Sequence, residues 1–464
     1  VSMTNIWEGK RVVIIGAARQ GQAAARFLAQ NGAIVTINDL RSKNELQATQ
    51  SALQDLPIRW VLESHPFELL DEIDLLCLSG GVPLNLPIIQ EALIRQIPLT
   101  NDTQVFLQVV PCRTIGITGS AGKTTTTALV GKMAQKAQAG SKFHAWVGGN
   151  IGDPLLNHID QMHPEDLAIL EISSFQLDQM TRSTDIAAVL NITPNHLDRH
   201  KTMESYAAAK ARLIEIQGQN SFAILGRDDP GSWGLRDKVH GKLLSFGFSR
   251  MDANSTGMLV SENKYFLHDL SGEKVLFDQS IVHLRGKHNQ LNVMAACLLA
   301  SAAGLPIDDI VAGIDEFHGV AHRLEFVRSW GGADWYNDSI ATAPERTIAA
   351  IRSFEQPIVL LLGGRDKDLP WDSLADVIQD RVREVIIFGE ATEKIGKTLA
   401  HTPENLRHYA IHCCKDVKEA VVSAARLVKT GDVVLFSPGG TSFDEFRDFE
   451  ERGERFRQWV QELS

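Results

Sequence analysis

The stretch GITGSAGKTTTTALV, residues 116–130, carries the residue types that hold a nucleotide's phosphates: glycines that let backbone N–H groups approach, a lysine, and hydroxyls. Its spacing is compact. The usual phosphate loop puts four residues between its first glycine and the GK pair, whereas here five separate Gly116 from Gly122 and two separate Gly119 from it. Lys123 would reach the β and γ phosphates, and Thr124 or Thr125 would offer a hydroxyl to Mg²⁺. Two further segments add chemistry. In LEISSFQLD (170–178), Glu171 interrupts an apolar run near a strand's end, where burying an unpaired carboxylate is costly. A metal or a cation is expected beside it, and a simple ion pair would serve equally. In NITPNHLDRH (191–200), His196 and Asp198 fall in a turn after another strand. That position suits an imidazole that ligates a metal or touches phosphate, and equally a plain surface histidine. If both strands flank the phosphate loop in one sheet, the two side chains converge on the γ-phosphate.

The elements that must position these groups read as strands alternating with helices. A strand at 11–15 stops at Gly16, a helix at 22–30 ends at Asn31 and Gly32, a strand at 33–38 ends in Asp39, and another at 73–78 breaks at Ser79 and Gly80. This is a βαβ pattern, with a parallel sheet and ligands beyond its strand ends. The turn GAARQG (16–21) has Ala18 where a dinucleotide fingerprint has glycine. It suits a nucleotide-sugar diphosphate, or it is a purely structural strand–helix turn. The pattern restarts near Asn101 with a strand at 114–118, the glycine loop, a helix at 125–135 and buried strands at 168–172 and 187–192. Segments 221–226, 242–247, 258–267 and 274–284 are expected to form a small antiparallel appendage. Beyond a linker near 317–322, strands at 334–337, 357–362, 384–388 and 432–436 again alternate with helices. The expected fold is α/β in three domains: an N-terminal Rossmann-like parallel sheet (1–101), a central P-loop ATPase-type domain with that appendage (102–319), and a C-terminal Rossmann-like domain (320–464).

Length fits three domains, at 464 residues. A net charge of −11 argues against a nucleic-acid partner, whose footprint is basic. No apolar run approaches the ~18 residues that cross a bilayer, and Trp7, Glu8 and Lys10 break any signal-peptide layout. The cytoplasm is the expected compartment. Five cysteines without CxxC spacing are expected to be reduced and buried.

Seven blocks in order, TGSAGKT, LEISSFQLD, NITPNHLDRH, YAAAK (206–210), GKHNQLN (286–292), HR (322–323) and NDSIAT (337–342), resemble the Mur ligase family over essentially the whole chain. SSFQL resembles the members that add D-glutamate to UDP-N-acetylmuramoyl-L-alanine. The resemblance implies a monomeric, ATP-dependent amide ligase of peptidoglycan precursor synthesis that works through an acyl phosphate, with two Mg²⁺ ions and a carbamoylated Lys210. It implies that Gly119, Ser120, Ala121, Gly122, Lys123, Thr124, Thr125 and Asn289 hold ATP. Closure of the third domain would add Arg323 near the phosphates and Asp338 near the ribose. The implied catalytic set is Lys123, Glu171, His196, Lys210 and Arg323, with metal on Thr124, Glu171, His196 and the Lys210 carbamate. The UDP-sugar would meet Arg19, Asp39, Arg41, Ser79, Gly80, Asn150 and His196. The incoming amino acid would meet Thr342, Lys367, Ser442 and Phe449.

One departure stands out. NDSIATA differs from the family's NDSKATN, so Ile340 stands where a lysine is expected. Either Lys367 or another base compensates, or the incoming amino acid differs. The alternatives are therefore a sibling ligase with another amino acid, or a UDP-sugar-binding pseudoenzyme. A kinase or a GTPase switch would leave Lys210 and the third domain without a role.

Overall fold

The computed structural model describes residues 6–464 apart from 140, 195–196, 253, 368 and 401–406, and only the backbone of 197 and 198. The chain forms two compact units, Val1–Val282 with Lys287–Phe317, and His283–Gly286 with His318–Ser464. Three α/β domains are built on three sheets.

The first sheet comprises β1 (Arg11–Ile15), β2 (Ile34–Asp39), β3 (Arg59–Leu62), β4 (Leu75–Leu78) and β5 (Leu99–Asn101), all parallel in the order β3-β2-β1-β4-β5. Val12 to Ile15 are all buried, as a central parallel strand covered on both faces requires. Strand order reverses at β1 and β4, so a crevice opens there beyond their C-terminal ends. The helix Arg19–Gln30 begins three residues before the sequence signal and buries Ala23, Ala24, Ala25, Phe27 and Leu28. Gly16 has φ +93°, and a Cβ on Gly21 would lie 2.0 Å from the Gly16 carbonyl, so both glycines are required by backbone approach.

The central sheet has nine strands: β6 (Arg113–Thr118), β7 (Ala145–Gly149), β8 (Leu167–Glu171), β9 (Ile186–Val189), β10 (Phe222–Gly226), β11 (Lys242–Gly247), β12 (Gly257–Ser261), β13 (Lys264–Asp269) and β14 (Gly272–Asp278), ordered β14-β13-β12-β11-β10-β9-β6-β8-β7. The small antiparallel appendage expected from sequence is present but confined to β12–β14, and its expected extent over 221–226 and 242–247 is corrected. β10, β11 and β12 continue the parallel sheet beside β9, and only the β12–β13 and β13–β14 pairs are antiparallel. The run 258–267 is two strands, because Glu262 and Asn263 adopt φ of 48° and 60° and close a two-residue hairpin.

The second unit holds β15 (Glu325–Trp330), β16 (Ala333–Asn337), β17 (Ile358–Gly363), β18 (Val382–Phe388), β19 (Ala410–Cys413) and β20 (Val433–Gly439), ordered β15-β16-β20-β17-β18-β19 and parallel except for β15. The loops after β16, β17, β18 and β20 therefore share one end of the sheet. Cys77, Cys112 and Cys297 are buried, but Cys413, on the edge strand β19, is exposed, against the expectation of uniformly buried thiols.

A buried polar seam joins the first two sheets. Asn101 Nδ2 donates to the Gln176 carbonyl at 2.9 Å, and Gln176 Nε2 donates to Thr103 Oγ1 at 2.7 Å. Beside them Asp102 is 5% exposed, its Oδ1 without a partner, and burial pushes its carboxyl up to about 7 despite the Thr103 amide and Gln176. Its folded pKa lies above its unfolded one, so the folded state binds more protons and loses stability as pH rises from about 4 to about 7. Asp102→Asn is expected to raise Tm at pH 8, by the equivalent of ~2–4 kcal/mol, and to raise it much less at pH 5. Equal gains at both pH values would refute this account of Asp102.

Candidate functional site

The glycine loop leaves β6 between β8 and β9. Gly122 ends it with φ +85°, and a Cβ there would lie 2.2 Å from Asn292 Oδ1, so only glycine admits the turn. The helix Lys123–Gln138 follows with no side-chain cap, which leaves its first N–H groups available to an anion. It starts two residues before the sequence signal.

Asn191, which follows β9 and was not singled out by sequence, shapes the loop. Its Oδ1 accepts from Ala121 N at 2.8 Å, its Nδ2 donates to Ala121 O at 3.1 Å, and its carbonyl accepts from Ser120 N at 3.0 Å. The Ser120 and Ala121 amides are thus already engaged, while Ser120 Oγ bonds Thr193 O at 2.9 Å and meets Tyr206 OH at 3.0 Å. Lys123 Nζ folds back onto the Gly119 and Ser120 carbonyls at 2.8 and 3.4 Å.

Lys210, on the helix Met203–Glu215, is 1% exposed. Its Nζ donates to Gly119 O at 3.0 Å and to Thr118 Oγ1 at 3.3 Å, and lies 4.7 Å from the Tyr206 ring centre. The two lysines therefore share one carbonyl. Burial, reinforced by Lys123, drives the Lys210 pKa well below that of an ordinary lysine.

Glu171 ends β8 and is 2% exposed. No ion pair meets it among the described residues. Instead Asn150 donates to it twice, Nδ2 to Oε1 at 2.9 Å and N to the Glu171 carbonyl at 2.8 Å, and Oε2 has no partner. In place of the cation expected from sequence, the described residues set a neutral amide beside Glu171 and leave one oxygen orphaned. Such an oxygen, buried at a strand end beside a phosphate loop, fits a hard divalent cation. Among the described residues no three His, Cys, Asp or Glu side chains gather into a metal cluster. His196 lies outside the described residues.

A pocket of about 270 Å³ adjoins the loop, lined by Gly122, Asn191, Asp228, Phe246, His288 and Asn292 among others. Its size and mixed lining suit a nucleoside. Asn289, singled out from sequence, is not among the lining residues but accepts from the lining residue Asn292 at 3.0 Å. Phe246 and Asp228 lie at and just beyond strand ends, and nothing in their local sequence marks them.

At the first sheet's crevice, Asp39 is 7% exposed; its Oδ2 accepts from Ala17 N at 2.7 Å and pairs with Arg41 at 2.8 Å. Burial would raise its pKa, but Arg41 and the amides of Ala17 and Arg41 outweigh it and hold it at about 2. Asp39 thus fixes the glycine turn from inside, with the more exposed Arg41 paired to it. Ser79 Oγ is buried without a partner. Gln20, missed by sequence, bridges Gly80 N at 3.0 Å and Gly149 O at 3.5 Å, while the exposed Arg19 reaches Gly152 O at 3.5 Å. Gln176 of the SSFQL motif is spent on a capping box with Ser173 and on Thr103, so its part is structural.

In the second unit, Asp338 is buried; it accepts from Leu324 N at 3.2 Å and from Ser437 Oγ at 2.7 Å, and burial raises its pKa to about 7 despite Ser437, Leu324 and Arg323. Arg323 sits between His322 and Leu324, both in left-handed backbone (φ 63° and 43°). Ser442 is buried, Thr342 and Phe449 are half-buried, and Lys367 is exposed. The Phe449 ring lies edge-on to His322 with centres 6.3 Å apart. At Ile340 the backbone carbonyl accepts from Arg346 Nη1 at 3.1 Å.

The N-terminal domain of MurD-like Mur ligases matches residues 10–101, the Mur ligase middle domain matches 117–300, and the Mur ligase glutamate ligase domain matches 322–440. A UDP-N-acetylmuramoylalanine–D-glutamate ligase from Koribacter versatilis is 37% identical over 457 residues, covering 98% of each chain. The chain belongs to the Mur ligase family. A ligase of the same description from Syntrophus aciditrophicus is 36% identical, covering 97% of this chain and 98% of its own. Among solved structures, the UDP-N-acetylmuramate–alanine ligase of Thermotoga maritima shares the fold at 16% identity and TM-score 0.54, over 97% of this chain and 99% of its own. MurF from Acinetobacter baumannii shares it at 15% identity and TM-score 0.55, over 99% and 93%. As a Mur ligase, the chain binds ATP in its middle domain. No described helix is long and apolar enough to cross a membrane.

Proposed function

We propose that the chain joins D-glutamate to UDP-N-acetylmuramoyl-L-alanine at the expense of ATP, as a cytoplasmic monomer with functional boundaries near 101/102 and 319/320. Full-length relatives named for that reaction support it. The observation that carries the mechanism is the meeting of three features: an uncapped phosphate loop, the buried and orphaned Glu171 oxygen, and a buried Lys210 amine on the loop's own carbonyl.

A carboxylate is a poor electrophile, so it must first be activated. The terminal alanine carboxylate attacks the γ-phosphorus, ADP departs, and an acyl phosphate forms. The D-glutamate amine, having lost its proton, attacks the acyl carbon, and phosphate leaves with an oxygen from the original carboxylate. Gly119 to Thr125 cradle the triphosphate, with Lys123 released from its carbonyls onto the β and γ oxygens. The nucleoside occupies the 270 Å³ pocket, with Asn289 acting through Asn292, and Arg323 and Asp338 assigned to the phosphates and the ribose. Mg²⁺, held by Glu171 and Thr124, and a second ion on His196 and a Lys210 carbamate, would neutralise charge between the meeting anions. Lys210 is suited to that modification because its depressed pKa favours the neutral amine, whose nitrogen bonds the carbon of CO₂ and gives up a proton. Asn150 orients Glu171, and with His196 borders the muramoyl-alanine end. Arg19, Asp39, Arg41, Ser79 and Gly80 take the UDP, and Thr342, Lys367, Ser442 and Phe449 take the amino acid.

Phosphate release is measured with UDP-N-acetylmuramoyl-L-alanine, ATP and a panel of amino acids. D-Glutamate is expected to support turnover and the others not, with carboxylate ¹⁸O recovered in the phosphate. Turnover only with another amino acid would replace D-glutamate, an outcome that Ile340 keeps specific. ¹⁸O absent from the phosphate would refute the acyl phosphate.

A further inference from the structure

The helix Phe449–Glu462 holds a guanidinium that none of these assignments uses. Arg452 is 1% exposed. Its Nε donates to Ser339 Oγ at 3.1 Å, its Nη2 to Ser339 O at 2.9 Å, and Nη1 and Nη2 both to the Gly440 carbonyl at 3.1 Å. Ser339 follows β16 and Gly440 follows β20, which are adjacent parallel strands, so one planar fork ties two loops at the same end of the sheet. The loop after β17 is held with them: Arg365 and Thr441 exchange backbone bonds at 2.9 and 2.8 Å, and a Cβ on Gly364 would lie 2.9 Å from Nη1.

Every one of these acceptors is electrically neutral. Arg452 forms no ion pair among the described residues; burial lowers its pKa to about 10, with Asp444 and Glu445 opposing only through space. A buried charge without a carboxylate partner is costly, and an apolar side chain of similar volume would serve packing at lower cost. The same loops carry Thr342 and the buried Ser442.

We propose that Arg452 is a positioning residue for the incoming amino acid: it fixes the 339–342 and 440–442 loops, and its charge, which no contacting carboxylate neutralises, makes the pocket they frame selective for a dicarboxylate, whose side-chain carboxylate adds counter-charge. Arg452 does not itself touch the substrate. The inference rests on the reading of those loops as the amino-acid pocket.

The test uses full-length Arg452→Gln and Arg452→Lys, with phosphate release measured against varied ATP, UDP-N-acetylmuramoyl-L-alanine, D-glutamate and D-glutamine. Arg452→Gln is expected to raise KM for D-glutamate about 30-fold, to leave the other two KM values within about threefold, and to erase the preference for D-glutamate over D-glutamine. Arg452→Lys, which keeps the charge but not the fork, is expected to retain that preference while kcat falls about tenfold. Proportional changes in all three KM values, or a preference that survives Arg452→Gln, would overturn the proposal. Should Arg452→Gln not fold, Arg452→Lys decides alone: an unchanged kcat or a lost preference overturns it. If the wild-type chain turns over a different dicarboxylate, the D-glutamate assignment fails and the same variants decide the inference with that amino acid. Wild-type preference for a neutral amino acid overturns both.

Discussion

Lys210→Ala is expected to lower kcat by about 10³-fold or more, with activity partly restored by formate or acetate. The amine is buried on Gly119 O and Thr118 Oγ1, where its positive form is disfavoured by burial and by Lys123. A lysine retained there solely for structure would be a liability. Replacing it should therefore leave Tm unchanged or raise it, most visibly at lower pH: because the folded pKa is depressed, the folded state binds fewer protons, and the lysine's cost eases as pH rises toward 10. Small carboxylic acids restore activity if what is missing is an anionic oxygen donor for a metal. A Tm that falls by several degrees, with no restoration at any acid concentration, would assign Lys210 to packing and remove the carbamate from the mechanism.

Lys123→Ala is expected to reduce kcat/KM for ATP by about 10³–10⁴-fold, the loss of roughly 4–5 kcal/mol of transition-state stabilisation. Its ammonium rests on the Gly119 and Ser120 carbonyls of the loop whose amides it would join around the phosphates. Removing it also withdraws the charge that adds to burial in lowering the Lys210 pKa, so the two substitutions should be strongly non-additive in a double-mutant cycle. Steady-state phosphate release on the single and double variants measures this. Independent, additive losses would show that the two lysines do not act on one centre.

The parts of the molecule that were legible in the sequence share a physical basis. Strand–helix alternation, the glycine turns, the position of Gly122 and Lys123 at a helix start and that of Glu171 at a strand end follow from local periodicity and from glycine's conformational freedom. The parts that were not legible depend on contacts distant in the chain. Asn191 shapes the phosphate loop from 70 positions away, and Gln20 reaches Gly149 across 129; neither leaves a local pattern. From sequence alone β10 and β11 read as part of the antiparallel appendage, because short strands punctuated by turns look alike whether their partner is parallel or antiparallel. β15 and β19, both edge strands, were missed because edge positions do not require an uninterrupted apolar run. SSFQL resembles the D-glutamate-adding members, and what its sequence does not reveal is that its glutamine also braces the seam between two sheets.

Asn191 clasps both the N–H and the carbonyl of Ala121 through the protein's own bonds. The cradle is therefore moulded in advance, and occupancy has little backbone freedom left to remove. Calorimetry of ATP association should accordingly show a small conformational entropy penalty, with the swing of one ammonium as the main rearrangement, and Asn191→Ala should enlarge that penalty.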